Sequence, residues 1–367
     1  MKTIFILGGS GNTGEKIATL LLKWTDDHII LAARNENKLS HTAEKLNHPD
    51  RVSWTSVDAS DKDLLVESIS GMDIVVSAAS IAQFTETIAR ACMEAKCDYL
   101  DIQYSNSKVK ILKSMTGEIE SSGQYFISEA GFHPGLPAAL VRYADSQLDV
   151  LESAVIYTTI NMDMNHVELA DATKQEFMRE LQDYDTSFLQ DGQWKKASLW
   201  TTRDFKKIDF GEPVGEKWCA PMMFEEIRNL PELIPSLKET GFFITGFGWI
   251  MDWVITPFSM VMVKLFPNAM TKSMGQLFTW AWKQTSKPPF YTIMKLKAIG
   301  TKDGKETQLE TTLSHEDGYW FTAIPVVACL LQYLDGVIQK PGLHWMGQIV
   351  EPGQLMNDME KMGVKIT

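Results

Sequence analysis

Short apolar runs alternate with amphipathic segments through the first 130 or so residues of the chain. Each run has the length of a buried strand, and the segments between them carry apolar residues at helical spacing. The predicted strands are "TIFIL", "HIILAA", "RVSWTSV", "MDIVVSAAS", "CDYLDI" and "QYFISEA". The predicted helices are "EKIATLLL", "NKLSHTAEKL", "DKDLLVESI", "FTETIARACMEA" and "KVKILKSMTGEIESS". This alternation predicts an α/β fold with a doubly wound parallel sheet, whose ligands bind beyond the carboxyl ends of the strands.

A glycine cluster, "GGSGNTG", joins the first predicted strand to the first predicted helix. Its spacing satisfies G-x-G-x-x-G, and the unpaired N–H groups and dipole of the helix amino terminus favour a phosphate there. We predict that this turn holds the pyrophosphate of a dinucleotide, against the alternative of a purely structural turn. The residues assigned to it are Gly9, Ser10, Gly11, Asn12, Thr13 and Gly14.

Arg34 follows the second predicted strand, where a fold that selects NAD usually places an acidic residue for the ribose 2′-hydroxyl. A guanidinium suits a 2′-phosphate instead, and Lys38 lies one helical turn further on as a second cation. We therefore predict NADP(H) as the cofactor. The alternative is that Arg34 is a solvated arginine at a strand end.

Asp58 follows the third predicted strand, and Ala78, Ala79 and Ser80 follow the fourth. We predict that Asp58 accepts a hydrogen bond from the adenine amino group, or else caps the next helix. The small residues of the second group allow a cofactor to approach the backbone closely.

The length, net charge and cysteines of the chain limit the number of domains and the kinds of partner that are expected. With 367 residues, two domains are expected. The net charge of −12 argues against a nucleic-acid partner, since phosphate backbones are bound by clustered Lys and Arg. The four cysteines are too scattered for a disulfide framework or a metal site, and we expect a cytoplasmic protein without a bound metal. They are Cys92, Cys97, Cys219 and Cys329.

Local signals also appear in the later part of the chain. Asp303-Gly304 lies between two alternating segments and predicts a type I′ hairpin, and Asp191-Gly192 predicts a second turn. The run Ala323 to Leu334 predicts an apolar helix that ends near Gly336.

Six stretches together resemble the saccharopine dehydrogenase-like superfamily, which includes saccharopine reductases and carboxynorspermidine dehydrogenases. They are "GGSGNTG", "LAARNENKL", "CMEAKCDYLDIQY", "ISEAGFHPGLPAALV", "HEDGYWFTA" and "LLQYLDGVIQKPG". The resemblance implies a Rossmann domain over residues 1–135, an α+β substrate and dimerisation domain over 136–318, and a helical return over 319–367. It also implies a homodimer and hydride transfer between NADP(H) and the carbon of a C–N bond in a small-molecule substrate.

The stretch "EAGFHPGLP" offers the best candidate for substrate contact. It resembles a G-x-D-P-G motif whose Asp faces the substrate amine, and here His133 stands at that position. An imidazole titrates near neutrality and can act as a general acid, or His133 can simply cap the next helix. Glu129 and Tyr104 are the other catalytic candidates, the latter as a proton donor or a packed ring.

The stretch "GFFITGFGWIMDWVITPFSMVMVKLF" has a single charge, Asp252, between residues 242 and 263. Three locations are open: burial in the second domain or a dimer interface, contact with a membrane surface, and a membrane span. Trp249 and Trp253 share a helix face and suit the membrane interface, whereas Asp252 disfavours a span.

The tryptophans and methionines concentrated in the second half of the chain suggest a large apolar cavity or interface. A reductase of a larger apolar carbonyl or lipid-like substrate at a membrane surface is therefore an alternative function. A non-catalytic NADP(H) sensor is another.

Overall fold

The computed structural model describes residues 1–165, 167, 169, 171–182, 184–198, 201–248 and 250–367. The chain divides into two compact units. The first comprises Met1–Ala139 and Tyr319–Met362, and the second comprises Leu140–Gly318 and Gly363–Thr367.

The first unit alternates strands and helices from its amino terminus. Its strands are β1 (Thr3–Leu7), β2 (His28–Ala33), β3 (Val52–Ser56), β4 (Ile74–Ser77), β5 (Asp98–Asp101) and β6 (Tyr125–Ser128). Its helices are α1 (Asn12–Trp24), α2 (Glu36–Leu46), α3 (Lys62–Ile69), a 3₁₀ turn (Ala82–Phe84), α4 (Thr85–Ala95), α5 (Asn106–Ser114) and α6 (Thr116–Ser122). The segment predicted as one helix after β5 is two, α5 and α6.

The second unit begins within the next helix. Its helices are α7 (Leu136–Gln147), α8 (Asp171–Gln182), α9 (Glu225–Arg228), α10 (Leu230–Leu233), a π-helical turn (Met251–Ile255), α11 (Thr256–Leu265) and α12 (Pro267–Thr285). Its strands are β7 (Val150–Asn161), β8 (Ser187–Gln190), β9 (Gln193–Lys196), β10 (Lys206–Asp209), β11 (Glu216–Met222), β12 (Glu239–Thr245), β13 (Tyr291–Lys302) and β14 (Lys305–His315).

The chain then returns to the first unit. The returning elements are α13 (Gly318–Leu334), β15 (Gly342–Trp345), α14 (Met346–Ile349) and α15 (Pro352–Lys361). The predicted apolar helix is confirmed as α13, which starts five residues earlier than expected, and β15 was not predicted. The last strand, β16 (Lys365–Ile366), pairs with β14, so residues 363–367 are part of the second unit rather than of the return.

The sheet of the first unit has the order β15-β6-β5-β4-β1-β2-β3, and each neighbouring pair is parallel. This confirms the predicted Rossmann-type sheet. The strand order reverses at β1, which pairs with β2 on one side and β4 on the other. Ligands of such sheets bind where the order reverses, and the glycine turn follows β1 at that place.

The first unit folds as predicted because its strands are apolar enough to be covered on both faces. Phe5, Val75, Tyr99 and Phe126 come from four strands and are almost fully buried in one cluster. Amphipathic helices such as α1 and α4 supply their buried faces to the same sheet.

The second unit is built on a mixed sheet with the order β10-β11-β12-β7-β13-β14-β16. Both predicted turns are confirmed as tight hairpins. Asp303 and Gly304 join β13 to β14, and Asp191 and Gly192 join β8 to β9. All four residues have positive φ, which is the type I′ backbone that matches the twist of the strands.

The apolar segment 242–263 begins as a strand and continues as a helix. Phe242 and Phe243 are buried in β12, whereas residues 250–265 form the π-helical turn followed by α11. Within the described residues, no helix is long and apolar enough to cross a membrane. Trp249 lies outside the described residues.

Candidate functional site

The turn between β1 and α1 is held against the neighbouring strand by backbone hydrogen bonds. The N–H of Gly8 donates to the carbonyl of Ala32 at 2.7 Å, and the N–H of Gly9 donates to that of Ile6 at 3.0 Å. The N–H of Gly11 then donates to the carbonyl of Gly8 at 2.9 Å. These bonds fold the chain back tightly and place the start of α1 at the carboxyl end of β1.

At three positions of this turn, the neighbouring atoms leave no room for a side chain. A Cβ at Gly9 would lie 2.9 Å from a methyl carbon of Leu31, and one at Gly14 would lie 2.9 Å from Cα of Gly9. Gly8 has a φ of +89°, and a Cβ there would lie 2.7 Å from that of Ala79. The glycines therefore let α1 and the loop after β4 approach the turn closely.

Gly11 differs from the others because it is exposed and a Cβ there would meet fewer atoms. A Cβ at this position would have a single neighbour, the carbonyl oxygen of Gly8 at 3.1 Å. Gly11 and Asn12 are exposed, and Ser10 and Thr13 are partly exposed. In a dinucleotide-binding turn the middle glycine is the one that admits the pyrophosphate, and the space beside Gly11 fits this role.

The amino terminus of α1 offers donors to an anion. Gly11 is its N-cap and supplies no side-chain hydrogen bond. The first helical bond is made by the N–H of Glu15, which donates to the carbonyl of Gly11 at 3.0 Å. The N–H groups of residues 12–14 precede that bond and, together with the helix dipole, suit a phosphate.

Arg34 is exposed directly after β2, and Lys38 is exposed in the first turn of α2. The backbone there is fixed by Asn35, whose side-chain oxygen accepts a hydrogen bond from the N–H of Lys38 at 3.0 Å. The hydroxyl of Ser56 on the neighbouring strand lies 3.5 Å from the carbonyl of Arg34. Two exposed cations thus lie near the end of β2, as a 2′-phosphate would require.

Asp58 lies two residues beyond β3 and close to Arg34. Its carboxylate accepts hydrogen bonds from the N–H and the hydroxyl of Ser60, at 2.9 and 2.8 Å. These bonds, and to a smaller extent the charge of Arg34, lower the pKa of Asp58. The N-cap of α3 is Asp61 rather than Asp58, so the structure does not give Asp58 the alternative role of helix cap.

Ala78, Ala79 and Ser80 extend β4 beside the glycine turn. The N–H of Ala78 donates to the carbonyl of Leu7 at 2.8 Å, which continues the pairing of β4 with β1. The carbonyl of Ala79 accepts a hydrogen bond from the side-chain amide of Gln103. This amide links the loop after β4 to the loop after β5.

A buried polar network lies beyond β5. The Asp101 carboxylate accepts from the Lys108 ammonium at 2.5 Å, and neither side chain is exposed. It also accepts from the Ser128 hydroxyl at 2.7 Å and from the N–H groups of Gln103 and Glu129, each at 3.3 Å. The carboxylate therefore joins the ends of β5 and β6 to helix α5.

Two of the predicted catalytic residues, Glu129 and Tyr104, lie next to residues of this network in the chain. Glu129 is buried directly after β6, and its φ of +58° places a side-chain-bearing residue in the left-handed region. Such a backbone costs on the order of 1–3 kcal/mol and is found mainly where the surrounding structure holds it in place, often at functional sites. Tyr104 is half-buried in the loop between β5 and α5.

His133 lies between β6 and α7, with its ring 4.8 Å from the ring of Phe132 in an edge-to-face arrangement. Burial lowers its pKa to about 4. The imidazole is therefore neutral at pH 7, which changes the expectation that it titrates near neutrality. A neutral imidazole can donate one hydrogen bond and accept another, whereas the role of cationic general acid requires another group to raise its pKa.

Three residues of this site were missed in the sequence, namely Gly8, Lys108 and Ser128. The burial of Lys108 could have been predicted from the sequence. Together with Val109 and Leu112 it forms the buried face of α5, and a lysine on the apolar face of a helix indicates a buried partner. Its position in the first turn is also unfavourable to the helix dipole, so the carboxylate of Asp101 is needed to hold it.

All of the predicted cofactor and catalytic residues lie beyond the carboxyl ends of β1 to β6. The structure thus brings them to one edge of one sheet, where each remains a prediction for its particular role. Within the described residues, His, Cys, Asp and Glu side chains form no group of three or more that is arranged to hold a metal ion.

Comparison with known proteins agrees with this geometry. Residues 4–125 match the family model of the saccharopine dehydrogenase NADP-binding domain. A stretch of 80 residues is 34% identical to an uncharacterized membrane protein of Methanocaldococcus jannaschii, and the match covers 22% of this chain and 24% of that protein. The chain spans only this small part of that relative's length.

The fold of the whole chain is similar to that of apo saccharopine dehydrogenase (L-Glu forming) from Saccharomyces cerevisiae. The TM-score is 0.67 at 15% sequence identity, over 100% of this chain and 99% of the yeast chain. The family match covers β1 to β5 and the glycine turn described above. Residues 4–125 are therefore similar to the NADP-binding domain of saccharopine dehydrogenases, and the whole chain shares the fold of the yeast enzyme.

Proposed function

We propose that the protein is an NADP(H)-dependent oxidoreductase that transfers a hydride between nicotinamide and the carbon of a C–N bond, in an imine or a secondary amine. The observation that carries the proposal is the glycine turn, where Gly9 and Gly14 are required by close packing and Gly11 is left open. In a dinucleotide-binding turn, the first glycine allows the tight turn, the second lets the pyrophosphate approach the backbone, and the third allows the helix to pack closely. The three positions of this turn fit those roles.

The choice of NADP(H) over NAD(H) rests on Arg34 and Lys38. Both side chains are exposed at the end of β2, where the adenosine ribose of a bound dinucleotide lies. Asp58 is close enough for the charge of Arg34 to lower its pKa, and its carboxylate accepts hydrogen bonds from Ser60. The guanidinium can therefore turn towards a 2′-phosphate without giving up a bidentate carboxylate partner.

The C–N substrate class is supported by the family of the nucleotide-binding domain and by the fold shared with a saccharopine dehydrogenase. Hydride transfer to an imine needs chiefly positioning and exclusion of water. Glu129, Tyr104 and His133 lie beyond β5 and β6, on the side of the turn where the nicotinamide of a Rossmann-bound dinucleotide is directed. We assign substrate contact to these three, with His133 as a neutral donor.

Calorimetric titration of the full chain with NADPH and NADH tests the cofactor. We expect tighter binding of NADPH. Arg34→Ala should weaken NADPH roughly tenfold to a hundredfold, which corresponds to one charge-assisted contact, and leave NADH nearly unchanged. Arg90→Ala is the matched control, since Arg90 is an exposed arginine of the same unit that pairs with Glu86 and Glu118 on the surface. Equal affinity of the wild-type chain for the two cofactors would falsify the NADP(H) assignment.

An NADPH-oxidation screen tests the substrate class. We expect turnover with pairs of a keto acid and an amine, and none with the keto acid alone. Turnover only with aldehydes or unsaturated lipids would favour the alternative of an apolar carbonyl substrate. NADPH binding without turnover of any of these would favour a sensor. A homodimer, expected from the family resemblance, is tested by the mass of the protein in solution.

A further inference from the structure

An apolar stripe runs along one side of the helix formed by residues 250–265. Its members recur at intervals of one, three and four residues, which places them on one face of a helix. They are Ile250, Trp253, Val254, Phe258, Val261 and Leu265, and each is exposed. Soluble surfaces seldom carry so many large apolar side chains in one row, and such rows mark contact with another apolar phase.

The opposite face of this helix already has its partners within the second unit. Met251 and Val263 are buried in a cluster with Met178 of α8 and with Met274 and Phe278 of α12. The helix is therefore fixed to the unit by one apolar face and presents the other to the outside.

Asp252, the single charge that interrupted this apolar segment in the sequence, does not lie on the stripe. Its carboxylate accepts hydrogen bonds from the N–H groups of Phe247 and Gly248, at 2.7 and 3.2 Å. These bonds hold the start of the helix, and burial raises the pKa of Asp252. The carboxylate is thus directed back to the backbone, and the exposed charge on residues 250–265 is that of Lys264, near the end of the helix.

The segment that carries the stripe has a charge opposite in sign to that of the chain as a whole. Residues 250–287 contain four lysines and one acidic residue, Asp252, in a chain of net charge −12. Lys264 and Lys272 are both exposed, and Trp253 belongs to the stripe itself. Basic residues beside a stripe that contains tryptophan are typical of helices that lie in the interface of an anionic membrane.

We propose that the apolar stripe docks on the surface of an anionic phospholipid membrane, with the helix lying parallel to the membrane plane. The helix from Ile250 to Leu265 is about 24 Å long, shorter than the roughly 30 Å of a hydrocarbon core, so it rests in the interface. A second copy of the chain is the competing occupant. Twofold pairing of the stripes with the two helices parallel would bring the two copies of Lys264 together, which like charges oppose.

Flotation of the full chain with lipid vesicles tests the proposal. One set of vesicles is pure phosphatidylcholine, and in the other about a third of the lipid is phosphatidylserine. We expect binding to the second set that is at least roughly tenfold stronger than binding to the first. Equal binding to both sets, or no binding to either, overturns the proposal.

The stripe is tested by Trp253→Gln combined with Phe258→Gln. The two side chains are 54% and 49% exposed, so the double variant should fold and lose vesicle binding roughly tenfold or more. The matched control is Trp218→Gln with Leu233→Gln, whose side chains are 55% and 54% exposed elsewhere in the unit. If both double variants lose binding equally, or neither does, the stripe is not the docking surface.

The basic flank is tested by Lys264→Glu with Lys272→Glu, and its control is Lys217→Glu with Lys305→Glu. We expect only the first pair to abolish the preference for phosphatidylserine. Sedimentation of the same proteins without lipid identifies the competing occupant. A wild-type dimer that the Trp253 and Phe258 variant converts to a monomer would assign the stripe to a second copy and overturn the membrane proposal.

Discussion

The ammonium nitrogen of Lys108 lies 2.5 Å from Oδ1 of Asp101, and both side chains are fully buried. The same ammonium donates to the carbonyl of Gln103 at 2.5 Å, and Ser128 satisfies the second carboxylate oxygen. The pair is therefore fully hydrogen-bonded at the edge of the sheet where the proposed catalytic residues lie. Such a network fixes the geometry of neighbouring loops more than it adds to stability.

Removal of one partner of this pair should be costly. We expect Lys108→Met to lower the free energy of unfolding of the first unit by about 3–5 kcal/mol, because it leaves the Asp101 carboxylate buried without a counter-ion. Adding Asp101→Asn should recover part of that loss, since the uncompensated charge is then gone. Chemical denaturation measures both variants.

Lys110→Met is the control for this pair, because Lys110 is an exposed lysine on the same helix. Its effect should stay within about 0.5 kcal/mol. If Lys108→Met were as mild as Lys110→Met, the buried pair would not exist as described.

Substitutions at two glycines of the turn should affect stability and NADPH binding differently. Gly14→Ala forces a Cβ against the backbone of Gly8 and Gly9, so we expect lower thermal stability together with weaker NADPH binding. Gly11→Ala meets only one carbonyl oxygen and has an ordinary φ of −87°, so stability should be kept while NADPH binding is lost. Scanning calorimetry and NADPH titration measure the two effects.

Gly117→Ala serves as the control for these glycines, because nothing lies within 4 Å of a Cβ at that helical position. It should leave NADPH binding unchanged and keep or slightly raise stability. A loss of stability in Gly11→Ala as large as that in Gly14→Ala would contradict the packing difference between the two positions.

His133 should make stability depend on pH in mildly acidic solution. Its folded pKa of about 4 lies below the ordinary value of 6.5, so between these values the unfolded chain binds more protons than the folded one. Stability should therefore rise with pH through this window, by up to about 1.4 kcal/mol per pH unit, and become flat above it. Denaturation at a series of pH values measures the slope.

His133→Asn should remove this component of the slope, whereas His41→Asn, at an exposed histidine on α2, should leave it unchanged. Titration of the His133 ring by NMR gives the pKa directly. A ring that titrates near 6.5 would show that the imidazole is not desolvated as the structure indicates.

The returning helix α13 is tied to β5 by a second buried contact. The Tyr333 hydroxyl donates to Oδ2 of Asp98 at 2.6 Å, and this bond lowers the Asp98 pKa against burial, which raises it above the ordinary value. Tyr333→Phe should therefore raise the Asp98 pKa further. The substitution should cost about 1–3 kcal/mol near neutral pH, where the carboxylate is charged.

The sign of the pH effect follows from the same bond. Below the folded pKa the carboxyl is protonated in both proteins, so the destabilisation by Tyr333→Phe should shrink as the solution becomes more acidic. Carboxyl titration by NMR and denaturation at several pH values measure the two effects. A destabilisation that grows at low pH would contradict the assigned bond.

The sequence by itself determined the alternation of strands and helices from β1 to β6, the glycine turn and both Asp-Gly hairpins. These features depend on local rules. Period and length decide whether a segment is a strand or a helix, and only a few residue types accept the positive φ of the hairpin turns. The glycine turn at the carboxyl end of β1 could therefore be predicted without knowledge of the segments that pack against it.

Only the tertiary structure decided which side chains are buried and what they meet. Ser128 reaches Asp101 across 27 residues, β15 joins β6 from the far end of the chain, and Asp252 turns back to its own helix start. The same apolar segment is buried in β12 and exposed along the stripe, although its composition is uniform. Burial depends on what packs against each face, and that is set by contacts between segments far apart in the chain.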